Sequence, residues 1–359
     1  MTIDDAGSPT VDEVAARVSS AGLGMMQTLS IHIGDRLGWY RALADGAPRT
    51  ASQLADATGT DERYAREWLE QQAVYSLLEA DGDDPGTRTF RMSAAVAEVL
   101  TDERSLSYAA PFARAITAAA VRMPDLLEAY RTGGGVGWEA YGEDMREAQA
   151  DTNRPWFASR LADALLSVPE LAGILTRPGV RVAEIGFGGG HASIAIALGF
   201  PEARIDGFDV DAASVELARR NAADAGVADR IGFHLSDGAA IDGTFDIVFA
   251  FECIHDMPQP VPVLEAARAA LAPGGLVVVM DEAVADAFTA PGDEVERVRY
   301  GFSILVCLPD GRSHTPSEAT GTVMRRSTLE GYAHRAGFAA VDVLPIDGFA
   351  SFRFYALRG

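Results

Sequence analysis

From Gly179 onward, short apolar runs alternate with segments of helical spacing. RVAEIGF, ARIDGFDVD, RIGFHLSD, TFDIVFAFE and GGLVVVMDEAV read as five strands. HASIAIALGF, AASVELARRNAADAG and PVLEAARAAL read as the helices between them. Strands that are apolar almost throughout, separated by helices, imply a mostly parallel sheet covered on both faces. An irregular insertion, 285–322, follows the fifth strand. TLEGYAHRAGF then reads as a helix, and AAVDVLPID and SFRFYALRG as the last two strands. No helix separates those two, so they should pair as an antiparallel hairpin. The fold class is α/β, a seven-stranded mostly parallel sheet ending in a hairpin.

Ahead of the sheet the period is helical. VDEVAARVSSAGLGMMQTLSIHIGDRLGWYRAL carries apolar residues at mostly helical spacing. Thr50 can cap a short helix, with Gln53 placed for a capping box. Gly59 ends it, and Thr60 or Asp61 caps the next. DGDDPGTRTFRMS reads as a turn between two short strands. Helix, turn, helix and β-wing form a winged-helix pattern over 1–107, with Trp68, Leu69 and Tyr75 as core. A connector, 108–178, follows. PFARAITAAAVRMPDLLEAY is helical and kinked or broken at Pro124. TGGGVGWEAYGED is a glycine-rich loop, and NRPWFASRLADALLSVPELAGIL returns to helix. Trp138, Tyr141, Trp156 and Phe157 either pack internally or wall a pocket.

Charge decides how to read the winged helix. The chain of 359 residues has a net charge of −22, and all its Lys+Arg are arginines. Residues 1–110 hold nine arginines against eighteen acids, and DERYAREWLEQQ, the recognition-helix equivalent, has four acids and two arginines. A phosphate-tracking surface is basic. The winged helix is therefore expected to serve dimerisation, with no nucleic-acid partner and no membrane. The N-terminus has no apolar h-region, which points to a cytoplasmic protein. Cys253 and Cys307 suit neither a disulfide framework nor a zinc spacing, and no metal is expected.

VAEIGFGGGHASIAI is the most informative stretch. Glycines after a first strand let backbone N–H groups approach a ligand at a helix start. The dinucleotide pattern G-x-G-x-x-G/A fails here, because its sixth position falls on His191 or Ser193. What stands instead is Glu184, Gly186, Gly188 and Gly190. Asp209 ends strand two and Asp237 follows strand three, so three acids lie in register on consecutive strand–helix units.

This ordering resembles the class I S-adenosylmethionine-dependent methyltransferases. With the winged helix and connector, it resembles their small-molecule O-methyltransferase branch, in which the N-terminal domain forms a homodimer. The resemblance implies S-adenosyl-L-methionine as cofactor and S-adenosyl-L-homocysteine as product. Glu184, Gly186, Phe187, Gly188 and Gly190 would border the methionyl end. Asp209, followed by Val210, would accept from both ribose hydroxyls. Ser236, Asp237 and Gly238 would hold the adenine, and Phe251 and Glu252 would close the site after strand four.

FAFECIHDMPQPV carries the catalytic expectation. His255-Asp256 matches the HD of plant-type O-methyltransferases, where the His is general base. Where that group usually has Trp, this chain has Met257, then Pro258. An imidazole can take the proton of a hydroxyl as the transition state forms, and Asp281 or Glu282 would orient it. The substrate would be a small, largely apolar or aromatic molecule. A cofactor-sensing transcriptional regulator and a tailoring enzyme with chemistry other than methyl transfer are the alternatives.

Overall fold

The structure is a computed structural model that describes residues 9–359. It divides into two compact units, the first reaching Thr117 and the second spanning Ala118–Gly359.

The first unit follows the local signals. Thr10 and Glu13 make a capping box at the head of the helix Val11–Arg36. Thr50 and Gln53 make the expected one ahead of Ala51–Thr58, and Gly59, left-handed at φ +64°, closes that helix. Asp61 caps Glu62–Val74 through the amides of Arg63 and Tyr64. Strands β1 (Glu79–Asp81) and β2 (Thr89–Arg91) pair antiparallel as the wing. Trp39, Tyr40, Leu43, Leu54, Trp68, Leu69 and Phe90 form the core. The Trp39 and Trp68 rings lie 4.8 Å apart. Tyr75 is not part of that core. It ends the helix half-buried, its hydroxyl turned toward the Leu23 carbonyl at 3.5 Å.

The second unit holds seven strands: β3 (Arg181–Ile185), β4 (Arg204–Asp209), β5 (Ile231–Leu235), β6 (Phe245–Phe251), β7 (Leu271–Glu282), β8 (Ala340–Val343) and β9 (Phe352–Arg358). Their order is β5-β4-β3-β6-β7-β9-β8. β3 through β7 pair parallel, and β9 runs antiparallel between β7 and β8. Alternation sorts side chains onto two buried faces. Val182, Ile247, Phe249, Phe251, Val278 and Met280 go to one, and Ala183, Ile185, Val248, Ala250, Val277 and Val279 to the other. The chain order reverses direction at β3, which neighbours both β4 and β6. Such a switch point opens a crevice at the carboxyl ends of the strands.

Two sequence expectations change. Only residues 133–137 of TGGGVGWEAYGED are loop, since a helix begins at Trp138 and runs to Trp156, with Gly142 non-helical inside it. The middle of the insertion is helical: Glu294–Phe302, a π-turn at Ser303–Cys307, then Leu308–Gly311. Its Arg299 and Glu296 pair with Glu282 and Arg325 outside the insertion, so charged residues stand where an apolar period would have announced a helix. The connector breaks where Pro124 predicts, between Ala110–Val121 and Met123–Thr132. No helix among the described residues is long and apolar enough to cross a membrane.

Candidate active site

A cleft lies over the end of β3, between the glycine bend and the helix Trp138–Trp156. Its walls include Trp138, Asn153, Phe157, Glu184, His191 and Glu252, and its floor is Gly186 to Gly189. The bend cannot be built from other residues. Gly186 has φ +68°, and a Cβ there would meet Cys253 Cβ at 2.7 Å. Gly190 has φ +75°, with Ala218 Cβ and Phe233 Cζ both 2.8 Å from a Cβ. Space over Gly188 is open, so its backbone faces the cleft.

Glu184 points down from β3 and accepts a short hydrogen bond from the Ser193 hydroxyl. Burial pushes its carboxyl up to about 8, against the Ser193 hydrogen bonds and with help from Asp209. The sign for stability follows. Between about pH 4.5 and 8 the folded chain keeps a proton on Glu184 that the unfolded chain has lost, so this group lowers stability as pH rises. Glu184→Gln should therefore flatten the pH dependence of Tm across that window. An unchanged profile would contradict the assignment.

Asp209 holds the bend from the neighbouring strand. Its Oδ2 accepts from Gly188 N and its Oδ1 from Asp211 N, both at 2.9 Å. Burial raises its pKa despite those bonds. Each carboxylate oxygen retains a further acceptor site. Val210 beside it is exposed. Asp237 is exposed and caps the 3-10 turn Gly238–Ala240 through the Ala239 amide, and the Ser236 amide donates to the Asp209 carbonyl at 2.9 Å. These four residues stand beside the cleft rather than in its wall. Phe187 and Phe251 line it, and Phe157, at the start of a π-turn, packs against Phe251 at 5.7 Å.

Glu252 follows β6 in a left-handed conformation, φ +51°, which costs a non-glycine residue about 1–2 kcal/mol. Asn153 donates to its carboxylate. Arg146 pairs with Asp211 at 2.7 Å. His191 is kept neutral, down to about 4, by burial and by Arg154. None of these contacts is visible in a local sequence pattern.

His255 lies beyond the cleft residues, in the turn after β6, and is buried. Its Nδ1 meets Asp281 Oδ1 at 2.7 Å, and its Nε2 stands 3.2 Å from Asp256 Oδ1. Burial alone would lower its pKa. The two carboxylates outweigh burial and hold it well above the ordinary value. Of the two acids at the end of β7, Asp281 reaches His255. Glu282 points to the opposite face and pairs with Arg299 at 2.6 Å. Burial first, then Glu252, keeps the Glu282 pKa well above the carboxylate range. Arg299 ties the insertion to the sheet, and the Glu296–Arg325 pair, at 3.0 Å, ties it to the start of the helix Arg326–Arg335. Cys307 closes the π-turn beside His255 and Asp256.

Comparison with known proteins agrees with this architecture. Residues 176–303 match the model of a methyltransferase domain, and residues 25–102 that of the Rv2258c-like winged HTH domain. The chain thus carries a methyltransferase domain with an Rv2258c-like winged HTH domain ahead of it. It is 32% identical over 151 residues to the 27-O-demethylrifamycin SV methyltransferase of Amycolatopsis mediterranei, covering 40% of this chain and 55% of that protein. The match thus spans about half of that relative's length. It is 27% identical over 294 residues to the N,N-dimethyltransferase OxyT of Streptomyces rimosus, covering 77% of this chain and 80% of that one. The structure of the mitomycin 7-O-methyltransferase MmcR superposes with a TM-score of 0.73 at 22% identity, over 98% of this chain and 99% of that one. At that identity the likeness is one of fold.

Proposed function

We propose that this chain transfers a methyl group from S-adenosylmethionine to a hydroxyl of a small, largely apolar or aromatic molecule. The observation that carries the reading is the joining of Asp209 to the glycine bend through Gly188 N at 2.9 Å. That contact sets a diol-binding carboxylate against bare backbone at a sheet switch point. The residues present fit the cofactor. Glu184 and the bend would border its methionyl end, Asp209 its ribose, and Asp237 with Ser236 its adenine. When bound, the cofactor supplies an electrophilic methyl on a sulfonium.

The chain's own part is to orient the acceptor and take its proton. His255 is the proposed acceptor of that proton, with Nδ1 fixed by Asp281 and Nε2 lying 3.2 Å from Asp256 Oδ1. A hydroxyl needs such a base and a neutral amine does not, so the presence of the pair favours oxygen. Incubation with methyl-labelled cofactor and a panel of small phenols, alcohols and amines tests this. Label on phenolic oxygen supports it, and label only on nitrogen or carbon contradicts it.

The proposed assembly is a homodimer through the first unit. Val11, Val14, Val18 and Met25 recur along one stripe of the helix Val11–Arg36, and all are exposed. A stripe at this spacing is a helix-packing face. Val18→Glu should shift the chain toward monomer in sedimentation. A wild-type protein that is monomeric at micromolar concentration would contradict the assembly.

A further inference from the structure

Charge along the cleft is unbalanced at one residue. Arg146 is taken up by Asp211 at 2.7 Å. Glu184 holds the Ser193 hydroxyl and, pushed up to about 8 by burial, keeps its proton at neutral pH. His191 is neutral. That leaves Glu252, which lines the cleft half-buried. Its hydrogen bond comes from the uncharged amide of Asn153, and no cation pairs with it among the described residues. Arg299, the cation of the neighbouring ion pair, faces Glu282 at 2.6 Å and the Phe352 ring at 5.3 Å, and it is not in the cleft wall. A carboxylate drawn part-way out of water with no counter-charge is costly. The left-handed backbone of Glu252, φ +51°, adds to the cost, and such outliers cluster where a ligand is met.

Its place in the sheet selects the ligand. Asp209 ends β4 and Asp237 follows β5, so the nucleoside proposed for them extends away from β6. β6 flanks the glycine bend on the other side, next to β7, and the turn after it carries both Glu252 and the proposed base. The acceptor therefore belongs on the Glu252 side. The cofactor's methionyl end carries an ammonium and a carboxylate together and needs no net charge from the cleft. Its sulfonium charge disperses in the transition state, so a carboxylate set against it would stabilise the reactant more than the transition state. A cation on the acceptor meets neither objection. Trp138 also lines the cleft, with its backbone N–H fixed on Asp310 Oδ1 at 2.8 Å. An indole offers a flat face to an aromatic ring, and a carboxylate takes an ammonium through a charge-assisted hydrogen bond.

We propose that Glu252 is the acceptor-specificity residue of this cleft, pairing with a protonated amine on an aromatic acceptor whose ring lies against Trp138. This rests on the methyl-transfer reading and narrows its substrate class: the acceptor carries a cationic nitrogen as well as the hydroxyl. The ammonium is held for recognition and keeps its proton, while the methyl group goes to oxygen. Asn153 fixes the carboxylate from the helix that also carries Trp138, so the two recognition groups are set by one element.

The test is calorimetry on the full chain saturated with S-adenosylhomocysteine, using probe pairs that differ only in the amine: tyramine against 4-ethylphenol, and dopamine against 4-ethylcatechol. The amine of each pair should bind at least about tenfold tighter, as expected for a hydrogen bond to a charged group. Glu252→Gln can keep the Asn153 contact and should bring that ratio to within about twofold of unity, with S-adenosylhomocysteine affinity held within a factor of about 2–3. Trp138→Leu should weaken every probe and leave the ratio in place. Circular dichroism identifies a variant that fails to fold. If Glu252→Gln does, Glu252→Asp, which draws the charge back by one methylene, decides by a ratio below that of the wild type. Equal affinities within each pair, no binding of any probe at millimolar concentration, or a ratio unchanged in the Glu252 variant would each overturn the proposal. So would a Glu252→Gln protein that loses S-adenosylhomocysteine and keeps the ratio, since the carboxylate then serves the cofactor. A wild type that does not bind S-adenosylhomocysteine would instead remove the methyl-transfer reading beneath it.

Discussion

Replacing His255 with asparagine should lower kcat for methyl transfer by about 10²–10⁴-fold, the range a positioned general base contributes, while affinity for S-adenosylhomocysteine stays within a factor of about 2–3. The two effects separate because of where the residue sits. His255 is in the turn after β6 and is not among the residues that wall the cleft over the glycine bend. Asparagine keeps a donor near the Nδ1 position, so Asp281, itself buried, need not lose its partner. Alanine would strand that carboxylate, and breaking a buried pair costs about 3–5 kcal/mol. A structural loss would then masquerade as a catalytic one. If His255→Asn turns over at the wild-type rate on the best acceptor found, His255 is not the base.

Asp209→Ala should weaken S-adenosylhomocysteine binding by about 10²-fold or more. Two hydrogen bonds from ribose hydroxyls to a carboxylate, at about 1.5 kcal/mol each, amount to about 3 kcal/mol. The substitution also releases the amides of Gly188 and Asp211, which the carboxylate holds at 2.9 Å, so the bend itself should loosen. Asp209→Asn separates the contributions, since its amide oxygen can still accept from one of the two. Calorimetry on all three proteins reads the order wild type, then Asn, then Ala. Equal affinities would remove Asp209 from the cofactor site.

Much of this arrangement was legible because it is local. Capping is decided within four residues, so Thr50 with Gln53 and Gly59 could be read directly, while the next cap was narrowed to Thr60 or Asp61 and the structure selects Asp61. Strands buried on both faces leave long apolar runs, and the glycine bend declares itself because Gly186 and Gly190 tolerate no Cβ. Contacts that join distant elements were not legible. Arg146 reaches Asp211, Asn153 reaches Glu252, and Cys307 comes beside His255, each across many residues with no periodic signature. The choice between Asp281 and Glu282 lies between these cases. Neighbours on a strand face opposite sides, so only one could join His255. Which one depends on the register of β7 against β6, where Phe251 pairs with Met280. The insertion misled for another reason: its Glu296 and Arg299 turn inward to pair with Arg325 and Glu282, and a polarity pattern reads such residues as surface.

The most direct measurement is a calorimetric titration of the full chain with S-adenosylhomocysteine, run beside NAD. Saturable binding of one molecule per chain in the micromolar range, with no heat from NAD, is the expected result. No binding at millimolar S-adenosylhomocysteine, or preferential binding of the pyridine nucleotide, would contradict the assignment of the cleft.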